Sequence, residues 1–251
     1  MIPINFNQFL LELENVLKSP RPWMHARYGD GEGIVMGYPE FTGETRCRQR
    51  WNKWLGTNNI DMKKFAVEIR NSINNCDIVG TPCLRHQKVN SDWRNVKHFM
   101  HKYDLLQDRT KTCCMDCTVE LQTKGHYKRL LSNRDSIYYI SCRDMYFIFT
   151  KRLNIKNVFG FILPPQHRPC KGKVYTDKKH YPDLFNEIKF WLDRKTIKNN
   201  LFLVGAGGLG KIYCSWIKER GGIALDIGSI FDGWDGLVTR SYLKNIGKFE
   251  L

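Results

Sequence analysis

No apolar run in this 251-residue chain approaches the roughly 20 residues a membrane-spanning helix needs; stretches such as Tyr138-Tyr139-Ile140 and Leu201-Phe202-Leu203-Val204 are a few residues long. A transmembrane segment is therefore not expected, although peripheral membrane contact stays open. Met1-Ile2-Pro3-Ile4-Asn5 has neither the basic start nor the apolar core of a secretion signal, so the expected location is cytoplasmic. Low-complexity tracts, internal repeats and a glycine-, serine- or proline-rich linker are missing as well. The expectation is one compact domain over 1–251, with an N-terminal part of about 1–135 and a C-terminal βαβ part of about 136–251.

Cysteine gives no disulfide framework. The nine cysteines are an odd number, scattered through a chain too large to need covalent staples, and read as free thiols in a reducing compartment. Cys113-Cys114-Met115-Asp116-Cys117, with His126 nine residues on, contains one Cys-x-x-Cys pair. A structural zinc site usually needs a second pair, so a thiol-rich, partly buried helix start is the simpler reading.

Acidic residues are in short supply: 25 Asp and Glu face 40 Lys and Arg, giving a net charge of +15 and a pI near 9.4. Such a field draws anions, whether nucleic acid, an acidic lipid surface or a phosphorylated small molecule. The densest basic segment is the loop Pro164–Lys173, followed by Lys178-Lys179-His180, which reads equally well as a solvated surface loop. Zinc-finger, homeodomain and RNA-recognition signatures are absent, which makes nucleic acid an unlikely partner.

What is present is an α/β rhythm. Phe6, Phe9, Leu10, Leu13, Val16 and Leu17 recur at helical spacing before Ser19-Pro20, and Trp23–Ala26 reads as a strand running into glycines. Met62, Phe65, Ile69 and Ile73 form a second helical stripe, and Trp93, Val96, Phe99 and Tyr103 a third, with a strand at Asp77–Gly80 between them. Beyond Ser136 short apolar runs at 137–141, 157–163, 201–205 and 223–226 alternate with helical segments at 143–153, 182–194 and 209–220. This predicts a Rossmann-like, mostly parallel sheet flanked by helices, with its ligand crevice at the carboxyl ends of the strands.

Three strand ends carry chemistry. After the first come Arg27-Tyr28-Gly29-Asp30-Gly31-Glu32-Gly33, two acids interleaved with three glycines. In an extended chain Asp30 and Glu32 point to one side and can share a hard divalent cation. A phosphate oxygen about 4 Å from a bare carboxylate costs roughly 4 kcal/mol at an effective dielectric of 20, so acids in a phosphate site imply a cation between. A glycine turn with two solvated acids is the alternative. The second stretch, Val204-Gly205-Ala206-Gly207-Gly208-Leu209-Gly210-Lys211, matches G-x-G-x-x-G, with Asp226 closing the next strand where a ribose-binding acid belongs. It admits an NAD(P)-dependent oxidoreductase, or simply close helix–sheet packing. The third, Gly221–Ser229 followed by Phe231, Asp232, Trp234, Asp235 and Arg240, offers aspartates for general-base work beside an aromatic face, or an aromatic cap on the sheet.

In this order the three stretches resemble the GT-D class of glycosyltransferases. That family opens on an R-F-G-D-G-E motif holding D-x-E metal ligands; here the match is Arg27 to Glu32 with Tyr28 for phenylalanine. Leu201–Lys211 and Ala224–Gly228 look like the family's later glycine turn and its A-I-D-I-G stretch. Where relatives tend to carry histidine, this chain has Ser229. The resemblance implies metal-dependent transfer of a sugar from a nucleoside diphosphate donor, a UDP-sugar by expectation, to a glycan or glycoconjugate hydroxyl. It places manganese or magnesium (Mn2+ or Mg2+) on Asp30 and Glu32. Arg27, Gly29, Gly31, Arg143, Gly205, Gly207, Gly208, Lys211, Asp226 and Ser229 fall in the donor site, and Asp232 and Asp235 become the candidate catalytic bases.

Overall fold

Eight strands form one sheet in the order β1-β4-β3-β2-β8-β7-β5-β6, and every neighbouring pair is parallel. The computed structural model describes residues 1–57, 59–89, 91–165, 176–245 and 251. Most of the basic segment at 164–173 lies outside them. The chain runs β1 (Ile2–Pro3), α1 (Phe6–Lys18), β2 (Trp23–Arg27), α2 (Asp30–Met36), α3 (Glu44–Leu55), α4 (Met62–Asn74), β3 (Ile78–Thr81), α5 (Leu84–Val89), α6 (Ser91–Lys102) and β4 (Lys111–Cys114). It continues through α7 (Cys117–Thr123), α8 (His126–Leu131), β5 (Ser136–Ser141), α9 (Tyr146–Arg152), β6 (Asn157–Ile162), α10 (Phe185–Asp193), β7 (Leu201–Gly205), α11 (Leu209–Glu219), β8 (Ile223–Asp226), α12 (Ile230–Trp234) and α13 (Ser241–Asn245).

Strand alternation sends successive side chains to two cores. Met24, Ala26, Val79, Tyr138, Ile140, Phe202, Val204 and Ala224 pack with α2, α3, α4, α6, α10 and α11. Trp23, Ile78, Ile137, Tyr139, Leu201, Leu203, Ile223 and Leu225 pack with α1, α7, α8, α9 and α12. The parallel sheet is thereby buried on both faces, as its crossover helices require. Helix α1 starts where Asn5 and Gln8 bond each other's backbone amides at 3.0 and 2.9 Å, a reciprocal cap.

Strands β2, β3 and β4 run outward in one direction, and β5 to β8 fill the other half, so the two halves of the chain abut at β2 and β8. The connections leaving these neighbours go to opposite faces of the sheet, the topological position at which parallel sheets place a ligand crevice.

Two expectations change, and one helix is added. The glycine-rich run after β2 is a helix rather than extended chain: Glu32, three residues past Gly29, accepts the Gly29 amide at 2.9 Å and closes the first turn. Cys113 and Cys114 end a strand instead of starting a helix, because Lys111–Cys114 pairs with β3 and with the short edge strand β1. The added helix is α3, with Cys47, Trp51, Trp54 and Leu55 buried along one side of an otherwise charged segment.

Two buried histidines make the fold acid-sensitive. Burial pushes His25, whose Nδ1 lies 3.0 Å from the Ile78 carbonyl, down to about 4, and pushes His180, 2.8 Å from the Tyr213 hydroxyl, down to about 3. Both stay neutral in the fold while the unfolded chain takes up protons near 6.5, so stability falls as pH drops below 6.5 and keeps falling until the folded values are reached. Each site contributes about 1.4 kcal/mol per pH unit in that window. Urea unfolding between pH 7 and 5 is expected to show this loss, and His180→Phe to flatten its slope by up to one proton; an unchanged slope in that variant contradicts the assignment.

Candidate active site at the carboxyl end of the sheet

Four charged groups meet where β2 and β8 end. Asp226 closes β8, Lys211 lies in the first turn of α11, Glu32 in that of α2, and Arg27 closes β2. Lys211 Nζ sits 2.9 Å from Asp226 Oδ2 and 3.0 Å from Glu32 Oε1, and donates to the Gly207 carbonyl at 3.2 Å. The Arg27 amide donates to Asp226 Oδ2 at 3.1 Å, and Arg27 Nη1 to Thr118 Oγ1 of α7 at 3.2 Å. Asp226, Lys211 and Glu32 are 2, 5 and 7% exposed, so water hardly screens the triad.

Burial works against the charge on Lys211, but Asp226 and then Glu32 outweigh it and hold the ammonium above the usual lysine value. Burial likewise opposes the Asp226 carboxylate, yet Lys211 and Arg27 hold it below the usual range. Lys211 and Asp226 are therefore both ionised at neutral pH. The Arg27 guanidinium turns to the other face of the sheet, beneath Gly228, where a Cβ would fall 1.9 Å from Nη2; Gly228 also has φ +54°. Arg27 Nε is buried with no partner among the described residues, leaving a donor for an anion at this edge.

Asp30 faces outward at 36% exposure, its Oδ2 3.3 Å from Arg50 of α3. Two residues apart on a helix rather than a strand, Asp30 and Glu32 diverge, and the one-sided pair expected from an extended chain does not form. Protein cations already neutralise both acids. A Mg2+ or Mn2+ ion beside a diphosphate characteristically takes only one or two carboxylates, the rest of its shell being waters and phosphate oxygens. The residues present fit that demand through Asp30; Glu32 spends Oε1 on Lys211 and Oε2 on Gly29.

The glycines of both motifs admit protein rather than ligand. Trp54 of α3 wedges between Gly31 and Gly208, where added Cβ atoms would lie 2.5 and 2.2 Å from its ring. Gly205 clears Phe231 and the Gly228 carbonyl, and Gly207 has φ +56°. Gly29 borders the Trp93 ring of α6, 3.4 Å from a would-be Cβ. Asp226 is bonded inward to Lys211, so it does not face outward at the 205–210 turn as a ribose-binding acid would.

A second charged set lies at the exits of β5 and β8. Buried Arg143 donates from Nε to Asp232 Oδ1 at 2.8 Å and stands 3.8 Å from Asp235 Oδ2, while Thr239 Oγ1 donates to Asp232 Oδ2 at 2.5 Å. Asp235 is 38% exposed, and burial, opposed by Arg143 and reinforced by Asp232, pushes its carboxyl above the usual range. Trp234 offers no open aromatic face: it is 4% exposed, packs on Tyr127, Phe149 and Phe231, and donates to Gln122 at 2.8 Å. Ser229 bonds the Tyr242 hydroxyl. Tyr28 points into the core, where its hydroxyl donates to Ser72 Oγ at 2.9 Å. Sequence reasoning gave Arg50, Trp54 and Trp93 no site role: α3 shows no clear stripe amid its charges, and Trp93 reads as an ordinary apolar helix position.

No protein-family model matches the chain, and no curated protein matches it by sequence. Solved structures do. A protein described as the highly conserved domain of unknown function 1792 with a distinct glycosyltransferase fold aligns at TM-score 0.55 and 13% identity, over 94% of this chain and 80% of that one. A new glycosyltransferase of the same domain type from Streptococcus sanguinis aligns at TM-score 0.56 and 16% identity, over 94% and 84%. The chain therefore has this glycosyltransferase fold, the one its sequence resemblance implies.

Removing Lys211 strands two buried carboxylates. Lys211→Met is expected to cost about 3–5 kcal/mol in urea unfolding, whereas Asp30→Asn, at an exposed pair, changes stability by no more than about 1 kcal/mol. Equal effects of the two would contradict the burial contrast. Gly208→Ala is expected to cost about 1–3 kcal/mol by overpacking and to be rescued by Trp54→Leu; absence of rescue would remove Trp54 as the cause.

Proposed function

We propose that this protein is a glycosyltransferase that moves a sugar from a nucleoside diphosphate donor, UDP-linked by resemblance, to a hydroxyl of a glycan or glycoconjugate. The observation that carries the reading is the convergence of Arg27, Asp30, Arg50 and the Glu32–Lys211–Asp226 triad at the β2/β8 crevice of a glycosyltransferase fold. A net charge of +15 suits an anionic donor.

Each residue then has a task. Asp30 is the direct ligand for Mn2+ or Mg2+, an ion that supplies positive charge to the departing diphosphate. Glu32 fixes the α2 start from which Asp30 projects, and Lys211 and Asp226 lock that start to β8. Arg27 and Arg50 stabilise negative charge on the leaving nucleotide. Gly29, Gly31, Gly205 and Gly208 shape the donor site indirectly, by admitting the Trp93, Trp54 and Phe231 rings that frame it, with the Gly207 turn and Ser229 beside them. Asp235 accepts the proton of the acceptor hydroxyl as its oxygen attacks the anomeric carbon and the diphosphate leaves. Its raised proton affinity and exposure suit it better than Asp232, which Arg143 and Thr239 hold.

UDP with Mn2+ is expected to raise the melting temperature, by an amount corresponding to about 2.7 kcal/mol at a hundred times Kd. Asp30→Asn should abolish the metal-dependent part of that shift while the variant stays folded. Asp235→Asn should lower turnover about 10²–10⁴-fold, scored as nucleotide release across a donor-sugar panel, with donor binding retained. An NAD-driven shift without metal, or full metal-dependent turnover in Asp30→Asn, would defeat the proposal.

A further inference from the structure

The Cys114-Met115-Asp116-Cys117 pair does not close on His126, in keeping with the reading that it is no zinc site. Cys113 and Cys117 are buried in the core, and His126 lies on Phe6 beside Arg129. A different set does assemble. Strands β3 and β4 are adjacent with Thr81 opposite Cys114, so Cys83, two residues past the end of β3, comes alongside Cys114 at the end of β4. The turn Cys83-Leu84-Arg85-His86 then folds His86 back onto Cys83. Cys83 Sγ, His86 Nδ1 and Cys114 Sγ all lie within 4.8 Å of one another, each on a half-buried residue.

The hydrogen bonds prepare the imidazole for a metal. His86 Nδ1 accepts the Cys83 amide at 3.2 Å and faces Cys83 Sγ at 3.2 Å, so its lone pair sits on the cluster side and an ion there takes the place of the amide hydrogen bond. His86 Nε2 lies 3.1 Å from Asp116 Oδ2, which fixes the proton on Nε2. Asp116 is itself held by Arg85. A ligating imidazole characteristically donates its remote N–H to a carboxylate in this way. Zinc–sulfur and zinc–nitrogen bonds of about 2.3 and 2.0 Å set tetrahedral edges of roughly 3.4–3.8 Å, so closing the cluster takes shifts of about an ångström or less.

We propose that Cys83, His86 and Cys114 form a site for a thiophilic divalent ion, zinc by ligand preference, with Asp116 orienting His86 and a fourth position left to water. Two thiolates and an imidazole select such an ion over Mg2+ or Mn2+, so the site is separate from Asp30. Binding deprotonates both thiols and releases their protons to solvent, so affinity rises with pH. The His86 ring lies tilted 5.2 Å from that of Trp93, which borders Gly29, so the ion would anchor α5 and α6 against the start of α2. The inference does not depend on the transferase reading.

The test is zinc content and Co2+ substitution of the reduced, full-length protein. One equivalent of zinc is expected, and Co2+ should give thiolate charge-transfer and tetrahedral visible bands that zinc bleaches. Cys83→Ser and Cys114→Ser should each lower stoichiometry towards zero, Cys142→Ser should keep one equivalent, and Asp116→Asn should weaken affinity about 10–100-fold. The wild-type Co2+ titration stands even if a variant fails to fold. Reduced wild-type protein that takes up neither ion, or a tetrahedral spectrum untouched by the folded Cys83 and Cys114 variants, overturns the proposal. So does a Cys83–Cys114 disulfide in protein that stays metal-free after reduction.

Discussion

The ammonium of Lys211, shared between Glu32 and Asp226, is the contact on which the carboxyl end of the sheet depends. Taking three charges out of water costs several kcal/mol per ion, and an apolar replacement of similar volume is often as stable. Net stability is therefore a poor explanation for the triad. What it fixes is position. Glu32 closes the first turn of α2, Asp226 ends β8 and receives the Arg27 amide of β2, and Lys211 starts α11. One cation thus ties the first half of the chain to the second at the strand pair where they meet, and Asp30 projects from the turn so fixed.

Around that cation the glycines serve packing. A glycine-rich strand exit suggests space kept for a phosphate, but at Gly31 and Gly208 the space is filled by the indole of Trp54. The same helix carries Arg50, one turn earlier, to Asp30. Helix α3 therefore reaches both motifs at once, and the close approach permitted by the missing Cβ atoms is what lets it do so. The acids are balanced by protein cations on each side: Arg50 at Asp30, Lys211 at Glu32. The electrostatic need for an ion between two bare carboxylates therefore disappears.

The parts of the fold legible in sequence are those with strong period. Strands at 201–205 and 223–226 and the helix opening at Leu209 lie where the apolar runs put them, because buried parallel strands are continuously apolar and their crossovers amphipathic. Lys111–Cys114 is too short and polar to show a period; its identity as a strand comes from its neighbours β3 and β1. Helix α2 hides for a different reason. Asp-Gly-Glu-Gly has poor helix propensity, and only the bond from the Gly29 amide to Glu32 and the packing of Val35 and Met36 make it helical. The residues of the site were visible as a motif, but their pairing was not. Nothing in the spacing of Glu32, Lys211 and Asp226 says that one lysine sits between two acids nearly 200 positions apart.

Misplacing Asp30 and Glu32 by one secondary-structure type also shifts the chemistry assigned to them. In a strand both carboxylates are equivalent ligands. On a helix start they divide, one turned to the crevice and one turned inward to hold the scaffold. The same logic separates the thiols: Cys113 and Cys114 are adjacent in sequence, yet one joins Cys117 in the core and the other meets Cys83 and His86 at the next strand's exit. Adjacent positions in a motif therefore take unlike roles here because backbone geometry points them apart. A residue's partner across the sheet, rather than its neighbour in the chain, decides which ligand it can hold.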